Sequence, residues 1–216
     1  EHIIRHYNEG WADGFRFNIE YWEIWNEPDG IAADGSQPNW SGTPEEYYEL
    51  YKVAATHLKK RFPHLKIGGP SMSSLHNRNG AWIRNFLASL TEDGKRVPLD
   101  FFSWHGYTEG VENFKRHAAY ARRELDRYGF TETESHLNEW NYGEEGKQFA
   151  DKDTLVGASF VAAAFSAMQN TSIDLAQYYV ASHPSVYNGL TYMRSGDLTP
   201  VAHVFHAFSS IYNAQK

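Results

Sequence analysis

EIWNEPDG, residues 23–30, closes an aromatic run with an Asn-Glu pair and then turns on Pro-Asp-Gly. The residues leading into it, 19–25 (IEYWEIW), have the β-branched and aromatic content of a strand. Glu27 therefore sits where a strand meets a loop. An acid in that place is a solvated loop charge, a metal ligand or a proton donor, and the rest of the chain has to decide.

Outward from this strand the sequence keeps a regular rhythm. A first helix is expected over residues 2–13. After the strand, Thr43-Pro44-Glu45-Glu46 forms a capping box with Pro at the first helical position. The helix it opens places Tyr47, Leu50, Tyr51, Ala54 and Leu58 on one face. LKIGGP (65–70) reads as a second strand whose glycines let the backbone pass close to a neighbour. A helical period returns over 80–91, and LDFFSWH (99–105) is a third strand. Val111, Phe114, Ala118, Ala121, Leu125 and Tyr128 mark the next helix, closed by Gly129. ESHLNEW (134–140) and IDLAQYYV (173–180) are the fourth and fifth strands, with helices expected over 152–169 and 199–212.

Strand–helix alternation predicts a parallel sheet with helices packed outside it. An open doubly wound sheet and a (β/α)8 barrel both fit, and both collect ligands at the C-terminal ends of their strands. A dinucleotide site would need G-x-G-x-x-G after a strand, which IGGPSMSS (67–74) does not supply.

Composition excludes several classes. With Lys+Arg 20 against Asp+Glu 27, a net charge of −7 argues against a nucleic-acid backbone as partner. The chain has no cysteine, so thiol nucleophiles, disulfides and Cys-type zinc sites are absent. The longest apolar run, 155–168, is too short to span a bilayer, and no membrane partner is expected. There is no G-x-S-x-G and no P-loop. His2/His6 and His203/His206 have ligand-compatible spacing but no third ligand nearby in sequence, and they read as surface or packing histidines. No metal or cofactor is expected. The opening EHIIRHY carries neither Met nor a signal-peptide pattern, so secreted and cytoplasmic locations both fit. Asn39-Trp40-Ser41 and Asn170-Thr171-Ser172 fit the glycosylation sequon, a triplet that arises readily by chance. No linker interrupts the 216 residues, which read as one continuous domain.

The strand ends carry the chemistry. The first offers Trp25, Asn26 and Glu27; the third, His105 and Tyr107; the fourth, Asn138, Glu139, Trp140 and Asn141; the fifth, Tyr178 and Tyr179. If these ends share one rim, Glu27 and Glu139 face each other across it. Such a pair suits a retaining glycosidase, which sets one protonated acid beside the leaving oxygen and one ionised carboxylate below the anomeric carbon, about 5–5.5 Å apart. Asn26 is placed to bond a sugar 2-hydroxyl, and Tyr107 to donate to the nucleophile. Exposed aromatic rings, from a content of 16% Phe, Tyr and Trp, offer stacking surfaces for sugars. Trp25 and Trp140 divide evenly between core and sugar platform, whereas Trp22 reads as packing.

WEIWNEPD followed by LNEW resembles the clan A glycoside hydrolases, (β/α)8 enzymes with an acid/base Glu after strand 4 and a nucleophile Glu after strand 7. The chain is most similar to glycoside hydrolase family 39, the β-xylosidase and α-L-iduronidase family. The likeness lies in Trp-Asn-Glu-Pro-Asp (25–29), an Asp-Phe-x-Ser-x-His-x-Tyr strand (100–107), Glu-Trp-Asn (139–141) and Gly-x-x-Thr-Pro (196–200). The resemblance implies a TIM barrel of which this chain carries strands 4–8 and their helices, with strands 1–3 absent. It also implies a single catalytic domain acting on an oligosaccharide or glycoside, with a further chain or segment completing the barrel. Glu27 is then the acid/base and Glu139 the nucleophile. Asn26, His105 and Tyr107 line the subsite for the sugar being cleaved, and Trp25, Trp140 and Tyr178 are added as sugar contacts. The alternatives are a non-catalytic carbohydrate-binding protein on the same scaffold, or an inactive barrel fragment.

Overall fold

The computed structural model describes residues 1–32, 34–143, 151–181, 189–192 and 195–214. Its elements follow the expected alternation: α1 (His2–Glu9), β1 (Tyr21–Glu23), α2 (Pro44–Arg61), β2 (Lys66–Met72), α3 (Ala81–Ser89), β3 (Phe101–Thr108), α4 (Glu112–Arg127), β4 (Glu134–Tyr142), α5 (Leu155–Met168), β5 (Leu175–Tyr178) and α6 (Pro200–Ala214). The five strands lie in chain order in one sheet. β1 pairs in parallel with β2, Trp22 opposite Ile67, and β2 with β3, Gly68 opposite Phe101. Parallel neighbours joined by helices are the βαβ unit, and consecutive order without a reversal is the barrel's pattern rather than that of a doubly wound sheet. None of the described helices is long and apolar enough to cross a membrane.

Element ends differ from the periodicity where a local signal intervenes. α1 stops at Glu9 because Gly10 takes a left-handed conformation (φ 76°) and its N–H bonds the Arg5 carbonyl. β1 is shorter than residues 19–25 because Trp25 (φ 73°) and Glu27 (φ 50°) leave the extended region. Pairing nonetheless continues on both sides, with Lys66 N donating to Glu20 O and Ile24 N to Gly68 O. α5 begins only at Leu155, where the Thr154 hydroxyl accepts from Val156 N. β5 is confined to four residues.

The chain packs as two compact units, Glu1–Trp104 with Arg123–His136, and His105–Arg122 with Leu137–Lys216. The first is held by an aromatic cluster in which Tyr47, Tyr48 and Tyr51 of α2 meet Trp82 and Phe86 of α3. The buried face of α2 is Tyr47, Tyr48, Tyr51 and Ala55. This corrects the expected face, since Leu50 is 37% exposed. Tyrosine wins because each ring packs in the core while its hydroxyl finds a carbonyl: Tyr47 donates to Ile24 O (2.8 Å), Tyr48 to Trp82 O (3.3 Å) and Tyr51 to Pro98 O (3.2 Å). Burial raises the pKa of Tyr47 and Tyr51 well above that of free tyrosine. Gly68 behaves as its sequence context suggested, since a Cβ there would stand 2.2 Å from the Phe101 carbonyl oxygen. The second unit packs Phe114 of α4 and Phe165 of α5 against Trp140 of β4.

Candidate active site

In the first unit, the chain beyond β1 stays beside β2 through Glu27 N, which donates to Ser71 O at 2.9 Å. A polar ladder crosses three strands here. Ser103 Oγ donates to Glu23, Ser71 N donates to Ser103 Oγ (2.8 Å), and Ser71 Oγ donates to Asn26 Oδ1 (2.8 Å). With its oxygen accepting from Ser71, Asn26 has its amide nitrogen as its donor end. Glu27, half-buried, accepts from Asn39 Nδ2 at 2.7 Å. Trp25 is 49% exposed, and its indole N–H donates to Asn39 O at 2.8 Å. Glu23, Trp25, Asn26, Pro38 and Asn39 line an open cleft of about 570 Å³.

Asp29 anchors the turn that follows Glu27. Its buried carboxylate accepts from Ser73 N (2.9 Å), Ser73 Oγ (3.2 Å), Ser74 N (3.3 Å) and Asn77 Nδ2 (2.6 Å). Asn77 Nδ2 also donates to Asp29 O at 2.9 Å. Burial raises the Asp29 pKa, and the donors from Ser73, Ser74 and Asn77 only partly offset it.

In the second unit, Tyr107 OH donates to Glu139 Oε2 at 2.7 Å. His105 Nδ1 lies 3.6 Å from the same oxygen, beyond a hydrogen bond but close enough to act through its charge when protonated. His105 and Tyr107 share a face of β3 because side chains alternate along a strand. The same alternation sends Trp140 away from the face of Glu139. Trp140 is 0% exposed, edge-on to Phe114 (5.8 Å), Phe165 (5.7 Å) and Tyr178 (5.2 Å). The expectation of Trp140 as a sugar contact is corrected: its ring is core. The Tyr178 hydroxyl donates to Asn141 Oδ1 at 3.1 Å, and burial pushes its pKa up to about 12, so it stays a neutral phenol near neutrality. Asn141 in turn donates to Tyr179 O at 2.7 Å. Tyr178 thus spends its hydroxyl on the fold.

The structure therefore gathers Trp25, Asn26 and Glu27 at one strand end in the first unit, and His105, Tyr107 and Glu139 in the second. The sequence reading missed Asn39, Ser71 and Ser103. Ser103 stood inside the 100–107 motif without a role, and Ser71 within IGGPSMSS. Asn39 gave only its sequon. His2 stacks on Trp11 (4.7 Å), and His6 Nδ1 lies 3.0 Å from Trp11 O. Among the described residues, neither sequence-adjacent histidine pair belongs to a group of three potential ligand side chains.

The family model described as glycosyl hydrolases family 39 matches residues 2–125, which include Asn26, Glu27, His105 and Tyr107. A β-xylosidase of Geobacillus stearothermophilus is 32% identical over 130 residues, 57% of this chain and 22% of that protein. Among solved structures, a glucosidase from Croceicoccus marinus is 37% identical with TM-score 0.71, covering 84% of this chain and 37% of the other. A family 39 β-xylosidase from Caulobacter crescentus, 21% identical with TM-score 0.72, covers 97% of this chain and 45% of its own. The latter likeness shows the fold: a partial (β/α)8 barrel. The chain spans less than half the length of each of these proteins.

Proposed function

The chain belongs to glycosyl hydrolases family 39, and on that premise we propose that it carries the catalytic part of a retaining O-glycosidase, β-xylosidase-like in its substrate class. Glu139 attacks the anomeric carbon while Glu27 protonates the departing oxygen. Glu27 then takes a proton from the water that releases the sugar. The observation that carries this reading is the Tyr107–Glu139 hydrogen bond of 2.7 Å. A donated O–H favours the ionised carboxylate and aims it, which a nucleophile needs. Asn26, with its amide turned by Ser71, is suited to a sugar hydroxyl, and His105 to the same subsite. The half-exposed Trp25 ring suits stacking on a sugar face.

The partners in this proposal are an oligosaccharide or glycoside and a further segment or chain that completes the barrel. Eight strands close such a cylinder, and the described residues of this chain supply five. Exposed apolar side chains in each unit, Phe15 and Phe17 in the first and Leu155 and Leu175 in the second, suit burial against added structure.

The test is Glu139→Gln in the protein carrying this chain with its barrel complete. Turnover of aryl β-glycosides falls by at least about 10⁴-fold, the scale seen when a covalent nucleophile is removed, while the thermal unfolding midpoint stays within a few degrees. Near-normal activity in this variant would sink the assignment. Sugar binding without turnover in the unmutated protein would favour the non-catalytic reading instead.

A further inference from the structure

The segment between β1 and α2 is joined step by step to the acid of the preceding proposal. Thr43 caps α2, with its N–H donating to Glu46 Oε2 at 2.7 Å and its hydroxyl accepting from Glu46 N at 3.2 Å. Trp40 sits on that cap. Its indole N–H donates to Thr43 O at 2.8 Å, and its ring meets the fully buried Tyr47 edge-on at 5.8 Å. Asn39 is therefore the neighbour of an anchored residue, and its backbone and its side chain are each tied. Its backbone carbonyl accepts from Trp25 Nε1 (2.8 Å), and its side-chain amide donates to Glu27 Oε2 (2.7 Å).

We propose that Asn39 is a positioning residue for Glu27, selecting which carboxyl oxygen carries the transferable proton. An amide N–H bonds a carbonyl oxygen better than a hydroxyl oxygen. In the neutral acid, Oε2 is then held as the carbonyl and the proton is directed to Oε1. In the ionised form the same bond persists and is stronger, because its acceptor is charged. Asn39 thus fixes the geometry through both halves of the reaction, first when Glu27 gives a proton and then when it takes one. Trp25 extends the device. Its half-exposed ring borders the cleft, so a leaving group resting on Trp25 presses on a residue bonded to Asn39. This inference rests on the reading of Glu27 as the acid/base.

Two readouts test it. The first does not depend on turnover: the side-chain amide signal of Asn39 in ¹⁵N–¹H spectra, assigned by its loss in Asn39→Ala. It shifts in Glu27→Ala, because its acceptor has gone. An unchanged signal would overturn the contact. The second is kcat/KM for two β-xylosides, one with a dinitrophenyl leaving group that needs no proton and one with an unactivated phenyl group that does. Asn39→Ala loses about tenfold on the phenyl glycoside, the scale of one lost hydrogen bond to a charged group, and less than about twofold on the dinitrophenyl glycoside. An equal loss on both would mean that Asn39 merely supports the fold, and would overturn the proposal. Glu27→Ala is the control that separates the two levels. An equal loss on both substrates in that variant removes the acid role of Glu27 itself, and the positioning role with it. The expected split in Glu27→Ala without one in Asn39→Ala removes only the latter.

Discussion

Glu27 follows β1 and Glu139 lies in the C-terminal half of β4, and their surroundings differ in kind. Glu27 receives a neutral amide from a loop residue, 12 positions further on, beside an open cleft. Glu139 receives a phenol from the neighbouring strand and has a buried imidazole 3.6 Å from the same oxygen. In the proposed roles, an amide donor suits a group that works in both protonation states. A phenol with a potential cation beside it suits the proposed nucleophile. In the mechanism proposed above, such unlike settings are what let the same residue type serve as an acid and as a nucleophile. The supports differ too: the donor to Glu139 is rooted in a sheet, whereas the donor to Glu27 depends on a loop tied to a helix cap.

That contrast can be broken by experiment. The largest effect separates the glutamates themselves. Glu139→Gln loses turnover whatever the leaving group, whereas Glu27→Ala loses about 10²–10⁴-fold on the phenyl glycoside and far less on the dinitrophenyl one. If the leaving-group dependence appeared at Glu139 instead, the two roles would be reversed. Next in size is Tyr107→Phe. Loss of a hydrogen bond to a charged oxygen lowers kcat/KM by about tenfold to a hundredfold. The loss is equal for both leaving groups because the nucleophile serves both, and steady-state rates on the two substrates check it. A loss confined to the phenyl glycoside would contradict the assignment.

The smallest effect concerns the turn beyond Glu27. Asp29→Ala leaves the Ser73 and Ser74 N–H groups and the Asn77 amide without their carboxylate acceptor, and it costs about 1–3 kcal/mol in urea unfolding. The pH dependence has a definite sign. Burial raises the Asp29 pKa in the folded chain, so folding favours the protonated form. The contribution of Asp29 to stability is greatest below its ordinary value near 3.8 and declines as pH rises through the raised folded value. In Asp29→Ala that decline is absent. A stability profile with the same slope in both proteins would show that Asp29 titrates normally.

Much of this was legible in the sequence, for reasons that name its limits. Strand and helix order follows from hydrophobic period, which depends on residues two to four apart. WNEPD and NEW stood out because acids rarely end aromatic strands without a use. The side-chain alternation that buries Trp140 was also available, since it neighbours Glu139 on one strand. The α2 face was misjudged at Leu50 because tyrosine can enter a core once its hydroxyl has a carbonyl, and that carbonyl belongs to a distant segment. Asn39 lies in a Gly/Ser/Pro-rich loop with no period to betray a direction. Asp29 and Asn77 are separated by 48 positions, and Ser71 and Ser103 by 32, so only the fold brings them into contact.

Under the proposed mechanism, Glu139 forms a covalent bond to the sugar. Intact-mass measurement and peptide mapping after incubation with 2-deoxy-2-fluoro glycosyl fluorides, on the protein with its barrel complete, test it most directly. The expected result is a stable mass increase of one fluorosugar, mapped to Glu139, absent in Glu139→Gln and fastest with the xylosyl reagent. An adduct on another residue, or hydrolysis of ordinary glycosides with no adduct from any reagent, would contradict it.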